Sequence, residues 1–387
     1  MAGTRRKKKE NKGPVPVRYY DYSLMAVLVF LVCFGLVMLY STSAYSAMIE
    51  YNDSMYYFKR QIIFCILGFV IIYVVSKINY HWYIRRAKAF YIISLAAMAL
   101  VQTPLGKEVN GARRWIQLPL GQQFQPSELT KIAVILFIPV VICKMGKEFK
   151  TMVGAAKALA WGAVAAAGVL FLTENLSTAL IVLGISCAII FVAHPRTKPF
   201  VILFAAGIAS FVILVLTLGN QLASSSNFRF RRLAVWLNLE EYAETGGYQT
   251  LQGLYAIGSG GFFGKGLGNS AQKMVIPEVQ NDMILTVICE ELGVFGVIVL
   301  LVLFGMLLYR ILVIAQNAPD LYGSLIVTGI FAHIALQVFL NVAVVTNILP
   351  NTGVTLPFIS YGGTSVLFLM AEMGIVLGVS RTIKFSE

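Results

Sequence analysis

Residues 258–293 read GSGGFFGKGLGNSAQKMVIPEVQNDMILTVICEELG and place three carboxylates where an apolar run begins. Asp282 stands at its edge, and Glu290 and Glu291 follow eight and nine residues later, about 12–14 Å along a helix. An aspartate just before a helical run is a candidate N-cap. Beside cations at the mouth of a membrane span it is equally a candidate general base, and the residues alone leave both readings open. Carboxylates deep in a bilayer are costly, so Glu290, Glu291 and Glu372 read as neutral, hydrogen-bonded groups that brace a bundle. The glycines at 258, 260, 261, 264, 266 and 268 would let backbone approach a ligand closely. No βαβ context surrounds them, so they are no nucleotide fingerprint.

Composition sets the frame that must position these groups. The chain has 387 residues, 58% of them hydrophobic and 13% charged, with a mean hydropathy of +0.76. A soluble domain carries about a quarter charged residues, so this is a polytopic membrane protein of the all-α class. Ten apolar segments have roughly spanning length, near 22–41, 61–76, 88–102, 128–143, 154–173, 177–193, 198–218, 283–309, 321–348 and 363–381. Around them the chain divides into a basic cytoplasmic tail at 1–21, a ten-span domain at 22–381 and a short cytoplasmic tail at 382–387. A large outer loop at 219–282 joins spans 7 and 8. With the N-terminal Arg and Lys cluster inside, most of the 31 basic residues fall on the cytoplasmic side. Both termini are then expected to be cytoplasmic. The first apolar run has no small-residue cleavage site, so it reads as a span rather than a signal peptide.

The net charge of +13 could suggest nucleic acid, but its densest block lies just before the first span. An anchor on anionic lipid is the better account, and no nucleic-acid partner is expected. Cys33, Cys65, Cys143, Cys187 and Cys289 all sit in apolar runs without a CxxC pair, which points away from disulfides and zinc. His81, His194 and His333 make no metal-ligand spacing, and His333 lies alone within the ninth span.

Basic residues on the outer side oppose the charge rule and need a reason. The 219–282 loop holds Arg229, Arg231, Arg232, Lys265 and Lys273. Long loops are exempt from charge counting; alternatively these cations meet an anionic group at the outer face. Arg113, Arg114 and Trp115 read either as an interfacial aromatic with snorkelling arginines or as a stacking platform beside a phosphate clamp. Glu128 and Lys131, one helical turn apart, read first as an internal ion pair. The small residues of SYGGTS (360–365) suit close helix packing.

The motifs NGARRWI (110–116), QPSELTK (125–131), GSGGFFGKGLG (258–268), PEVQNDMI (277–284), EELG (290–293) and LPNTGVTLPFISYGGTS (349–365) occur in one order. From first span to last, the chain resembles the SEDS family, the FtsW, RodA and SpoVE proteins, and within it the FtsW or SpoVE type. The resemblance implies a peptidoglycan glycosyltransferase that polymerises lipid II at the outer leaflet, in cell division or sporulation. It makes Asp282 the catalytic base and assigns Arg113, Arg114, Trp115, Glu128, Lys131, Lys273, Ser360 and Tyr361 to the substrate cavity, with Lys131 and Lys273 as candidate cations for the pyrophosphate. Such a transfer needs one base and positive charge at the leaving group, whereas a glycosidase uses two carboxylates.

Where many relatives carry Pro-Asp-x-Gly-Thr after the fifth span, this chain has Glu174, Asn175, Leu176, Ser177 and Thr178. No catalytic role is assigned there. A divalent cation, Mg or Mn, could bridge pyrophosphate oxygens to Asp or Glu, though the sequence supplies no dedicated cage. The resemblance also implies partners: lipid II and the growing lipid-linked glycan, a class B penicillin-binding protein that cross-links the peptides, and other division or elongation proteins. Two alternatives belong to other classes. A lipid II flippase would show inverted repeats with broken helices at the midplane, and no clear repeat is seen. A non-catalytic scaffold for a wall synthase would tolerate loss of Asp282.

Overall fold

The computed structural model describes residues 20–109, 112–117, 123–223, 228–244 and 246–383. The two terminal tails therefore lie largely outside the described residues. Twelve α-helices follow in chain order among them: α1 (Tyr22–Tyr51), α2 (Tyr56–Lys77), α3 (His81–Leu100), α4 (Pro126–Met145), α5 (Met152–Leu172), α6 (Leu176–Ala193), α7 (Lys198–Ala223), α8 (Phe228–Leu237), α9 (Tyr248–Gly260), α10 (Ile284–Gln316), α11 (Leu321–Val345) and α12 (Thr364–Ser380). Each of the ten apolar segments of the sequence coincides with a helix. Six of them, α1, α2, α5, α6, α10 and α11, are long and apolar enough to cross a membrane. Charged residues inside α3 and α4 lower their apolar character.

The bundle is built around α4. Residues 132–138 are buried in succession, on every face of the helix, as expected of a helix that is apolar all round. It packs against α3, α6 and α11, while α12 lies along α2. Polar caps fix the ends. Asp21 accepts the amide of Leu24 at the start of α1, and the same buried carboxylate holds Arg310 of α10 at 2.7 Å. Asp320 caps α11 through the Gly323 amide and also meets the Tyr80 hydroxyl and the His81 ring. That charge pairing and capping pins one end of the bundle.

Three expectations from the sequence need correction. The class is not purely α: β1 (Gly106–Val109), β2 (Ala112–Gln117) and β3 (Gln123–Phe124) form a three-stranded antiparallel sheet in the order β1-β2-β3. Outside the apolar segments, strand pairing satisfies backbone groups that would otherwise lack partners. The 219–282 segment is likewise more than a loop, because it carries the end of α7, then α8, α9 and a 3₁₀ turn at Gln272–Met274.

The third correction concerns depth. Helix α10 breaks at Gly293, whose φ of 70° and ψ of −174° are not helical. The amides of Val294 and Phe295 abandon the helical ladder and donate to the carbonyls of Gly261 and Phe262. In return the carbonyls of Glu290 and Glu291 accept from the amides of Lys265 and Gly266. A stretch of the glycine-rich segment is thus spliced into the helix. A side chain at Gly293 would place its Cβ 2.2 Å from the Phe262 carbonyl, and one at Gly264 would come 2.2 Å from that of Glu291. These glycines serve backbone-to-backbone contact, not the approach to a ligand that their pattern suggests.

The broken helix also relocates the two glutamates. Asp21 meets Arg310 at one end of α1, and Ser41, twenty residues on, donates to Glu291 at 2.6 Å. Twenty residues of helix rise about 30 Å, roughly the thickness of a bilayer's hydrocarbon core. Glu290 and Glu291 therefore stand about one hydrocarbon thickness along the bundle from the Asp21–Arg310 pair, and each is paired with a lysine rather than neutral. His333 is not alone either: its Nδ1 stands 2.8 Å from Oε2 of Glu372 on α12, both side chains almost wholly buried.

Candidate active site

Three segments converge on Asp282: the turn at 277–282 that leads into α10, the first turn of α9, and the connection 346–363 between α11 and α12. The Asp282 main-chain carbonyl accepts from Nδ2 of Asn341 on α11 at 2.9 Å. The same amide donates to the Val354 carbonyl at 2.7 Å, tying the turn to the connection. From the other side Nε2 of Gln249 donates to the Pro277 carbonyl at 3.1 Å and to Oδ1 of Asp282 at 3.4 Å. Asp282 does not cap α10. The cap position is Met283, and no side chain closes it.

The Asp282 carboxyl is partly buried, and burial is the main cause that raises it from the ordinary carboxylate range to about 6. Its own amide opposes the rise, Glu278 adds to it, and Arg232 and Gln249 oppose it. Glu278 itself is exposed, adopts a φ of 47° and accepts from Asn281. A carboxylate near neutrality is suited to accept a proton at physiological pH.

The cation facing Asp282 is Arg232 of α8. Its Nη1 donates to the Asn351 carbonyl at 3.1 Å, and one turn later Trp236 donates to the Asn347 carbonyl at 2.9 Å. Burial and then the like charge of Arg114 lower the Arg232 guanidinium from its ordinary value, while Asp282 acts in the opposite sense. Arg114 reaches this neighbourhood from β2, where Nη2 donates to the Glu174 carbonyl at 3.3 Å. Arg113 precedes it in the strand, where the β1–β2 register is irregular. It is exposed and pairs loosely with Glu108 across the sheet at 3.6 Å. Trp115 is partly buried on the same strand. Two like-charged guanidiniums held together beside an aspartate form a natural seat for an anionic group.

The other residues singled out from the sequence are distributed around this centre. Tyr361 donates its amide to the Gln280 carbonyl at 2.9 Å, and its ring meets Tyr57 edge-on with centroids 4.9 Å apart. Ser360 accepts the Leu356 amide at 2.8 Å and shapes the turn. Glu128 and Lys131 form a buried pair at 2.9 Å. Lys273 is drawn away by Glu291 at 3.0 Å and by the Gly268 carbonyl at 2.7 Å. Lys265 pairs in the same way with Glu290 at 2.7 Å. Among the described residues, no group of three or more His, Cys, Asp or Glu is gathered as a metal site.

Gln249, Asn341, Asn351 and the special place of Arg232 were not singled out from the sequence. The one signal available was the spacing of Arg232 and Trp236, four apart and so on one helical face.

Residues 22–384 match the model of the cell cycle protein family of FtsW, RodA and SpoVE. Stage V sporulation protein E of Bacillus subtilis is 38% identical over 365 residues, which cover 93% of this chain and 97% of that one. A probable peptidoglycan glycosyltransferase FtsW of Trichlorobacter lovleyi is 36% identical, with 96% of each chain covered. Among solved structures, a chain of a peptidoglycan synthase complex superposes with a TM-score of 0.74 at 27% identity, covering 94% of this chain and 98% of that one. The rod shape determining protein RodA of Thermus thermophilus gives a TM-score of 0.66 at 27% identity, with 95% and 98% covered.

Proposed function

The chain belongs to the FtsW, RodA and SpoVE family of cell cycle proteins, and on that premise we propose that it is a peptidoglycan glycosyltransferase that polymerises lipid II at the outer face of the bacterial plasma membrane. The observation that carries this reading is the chain of hydrogen bonds that links Asp282 through Gln249 and Asn351 to the guanidinium of Arg232, with the like charge of Arg114 acting on Arg232. A base and an anion seat in one place are what glycosyl transfer from a pyrophosphate requires.

In the reaction, the hydroxyl oxygen of the acceptor sugar bonds to the anomeric carbon of the donor while its proton passes to Asp282. The bond from that carbon to the pyrophosphate oxygen breaks, and the pyrophosphate leaves with the electron pair. Arg232 and Arg114 stabilise the charge that develops there. Attack from the opposite face inverts an α-linked pyrophosphate to a β-linked glycan. Trp115 and Tyr361 stand on the strand and the connection nearest these groups and would line the sugar path. Lys131 with Glu128, Lys273, Ser360 and Arg113 act at longer range, by holding the surrounding elements or, for Arg113, by presenting charge at the exposed face of the sheet. Among the described residues no ligand set is gathered for the divalent cation that the sequence left open, and no step of the reaction is assigned to one.

The same reading places ten helices across the bilayer, with both termini cytoplasmic and α8 and α9 outside. A class B penicillin-binding protein is the partner expected to cross-link the peptides, a proposal supported by the likeness to a peptidoglycan synthase complex. Purified protein incubated with lipid II tests the activity. Wild-type protein should yield glycan polymer, and Asp282→Asn should lower the rate by about 10²-fold or more. Normal polymerisation by Asp282→Asn would overturn the assignment of the base.

A further inference from the structure

We infer that Gln249 is the positioning residue of this site, its side-chain amide fixing Oδ1 of Asp282 so that Oδ2 is the atom that receives the acceptor proton. The inference rests on the catalytic reading of Asp282. Its own support is the wiring of one amide into three segments. Nε2 donates to the Pro277 carbonyl at 3.1 Å and to Oδ1 at 3.4 Å, and Oε1 accepts from Nδ2 of Asn351 at 3.1 Å. The orientation of the amide follows from its neighbours, because a carbonyl on one side needs a donor and an NH₂ on the other needs an acceptor.

Asn351 is anchored in turn. Its Oδ1 accepts the Gly353 amide at 3.1 Å, and its main-chain carbonyl accepts from Arg232. Gln249 therefore couples the base to the segment that holds the cation. It projects from the first turn of α9, and α9 is seated firmly on α10: a Cβ added at Gly260 would fall 2.1 Å from the Cys289 carbonyl. Oδ2 points elsewhere, toward Gly353, where a Cβ would lie 3.7 Å from it and where the glycine leaves that space open. Holding one carboxylate oxygen on a rigid element and leaving the other for substrate is how a base is kept in a productive orientation.

The charged groups that act on Asp282 are Glu278 on its own turn and Arg232 on α8, with Arg114 of β2 beside Arg232. The hydrogen bond from Gln249 favours the ionised form, so its loss should move the acidic limb of the pH profile upward. The experiment measures kcat and KM for lipid II against pH for the full-length protein in vesicles, in wild type, Gln249→Met, Gln249→Glu and Asp282→Asn. Gln249→Met keeps the length of the side chain without its hydrogen bonds. It should lose about tenfold or more in kcat, keep KM within about twofold because uniform binding is untouched, and shift the acidic limb to higher pH. Gln249→Glu, which adds a like charge, should shift it further. An unmoved limb in both variants, or a loss that only follows the amount of folded protein, would overturn the inference. If Gln249→Met does not fold, Asn351→Ala removes the other end of the bridge and is judged by the same limb. An inactive Asp282→Asn together with unshifted Gln249 variants defeats the positioning role alone, whereas an active Asp282→Asn defeats the catalytic reading beneath it.

Discussion

Nζ of Lys273 stands 3.0 Å from Oε1 of Glu291, and both side chains are buried where the glycine-rich segment enters the broken helix. The same carboxylate accepts from Ser41 of α1 and from the Ser270 amide. Removing one partner of a buried pair leaves the other charge without compensation, typically at about 3–5 kcal/mol. Lys273→Met should therefore lower thermal stability in detergent, and Lys273→Met with Glu291→Gln should recover part of the loss. Stability unchanged in the single variant would show that the pair does not hold the segment.

The pH profile follows from Asp282. With its carboxyl raised to about 6, the ionised base is lost as the medium is acidified, and kcat/KM should fall about tenfold between pH 7 and pH 5. Stability carries the opposite sign. A folded value above that of the unfolded chain gives a contribution present in full below about pH 4 and lost as pH rises through about 6. Asp282→Asn should melt no lower than wild type at pH 8, while being inactive. A melting point clearly below wild type at that pH would contradict the electrostatic account.

Arg232 and Arg114 should act on substrate rather than on folding. Arg232→Lys keeps a positive charge but not the planar fork, so kcat/KM for lipid II should fall about tenfold, and more in Arg232→Met. Arg114→Met should behave similarly, and the double variant should show non-additive loss if both touch one anion. Additive effects would separate the two guanidiniums into independent sites.

Orientation in the membrane is open to chemical labelling. Glu241 is exposed in the turn after α8, and Lys150 is exposed beside α5. A cysteine at 241 should react with an impermeant thiol reagent in intact cells, and one at 150 should react only after permeabilisation. The reverse pattern would put Asp282 on the cytoplasmic face and remove lipid II polymerisation at the outer leaflet.

The ten helices were legible because apolar length is a local property; Asp282 stood out at a junction of composition, but the residues alone left it between a cap and a base. The Glu128–Lys131 pair was readable for the same reason, both ends lying within one turn. What escaped depends on contacts distant in sequence. The Ser41–Glu291 bond joins residues 250 apart, and the depth of the glutamates cannot be read without it. His333 and Glu372 find each other across 39 residues. The strands at 106–124 are too short for a periodic signal. Arg232 looks in the sequence like any other cation of its segment, and only the fold sets it against Asn351 and Asp282.

The break at Gly293 divides α10 into a short piece that follows Asp282 and a longer piece at 294–316, whose rise of about 34 Å suffices to cross a bilayer alone. The two pieces share no hydrogen bonds through Val294 and Phe295, since both amides serve the glycine-rich segment instead. A bilayer thinner or thicker than the span makes a helix tilt, and here the joint, bridged only through the glycine-rich segment, can take up the tilt before it reaches the shorter piece. Polymerisation rate should consequently be nearly flat across vesicles of short- to long-chain lipids. Gly293→Ala, strained at a φ of 70°, should make the rate depend on lipid length in whatever fraction of the protein still folds. The joint would then be a mechanical isolator, letting one chain work at constant geometry in membranes whose thickness varies with growth temperature and composition.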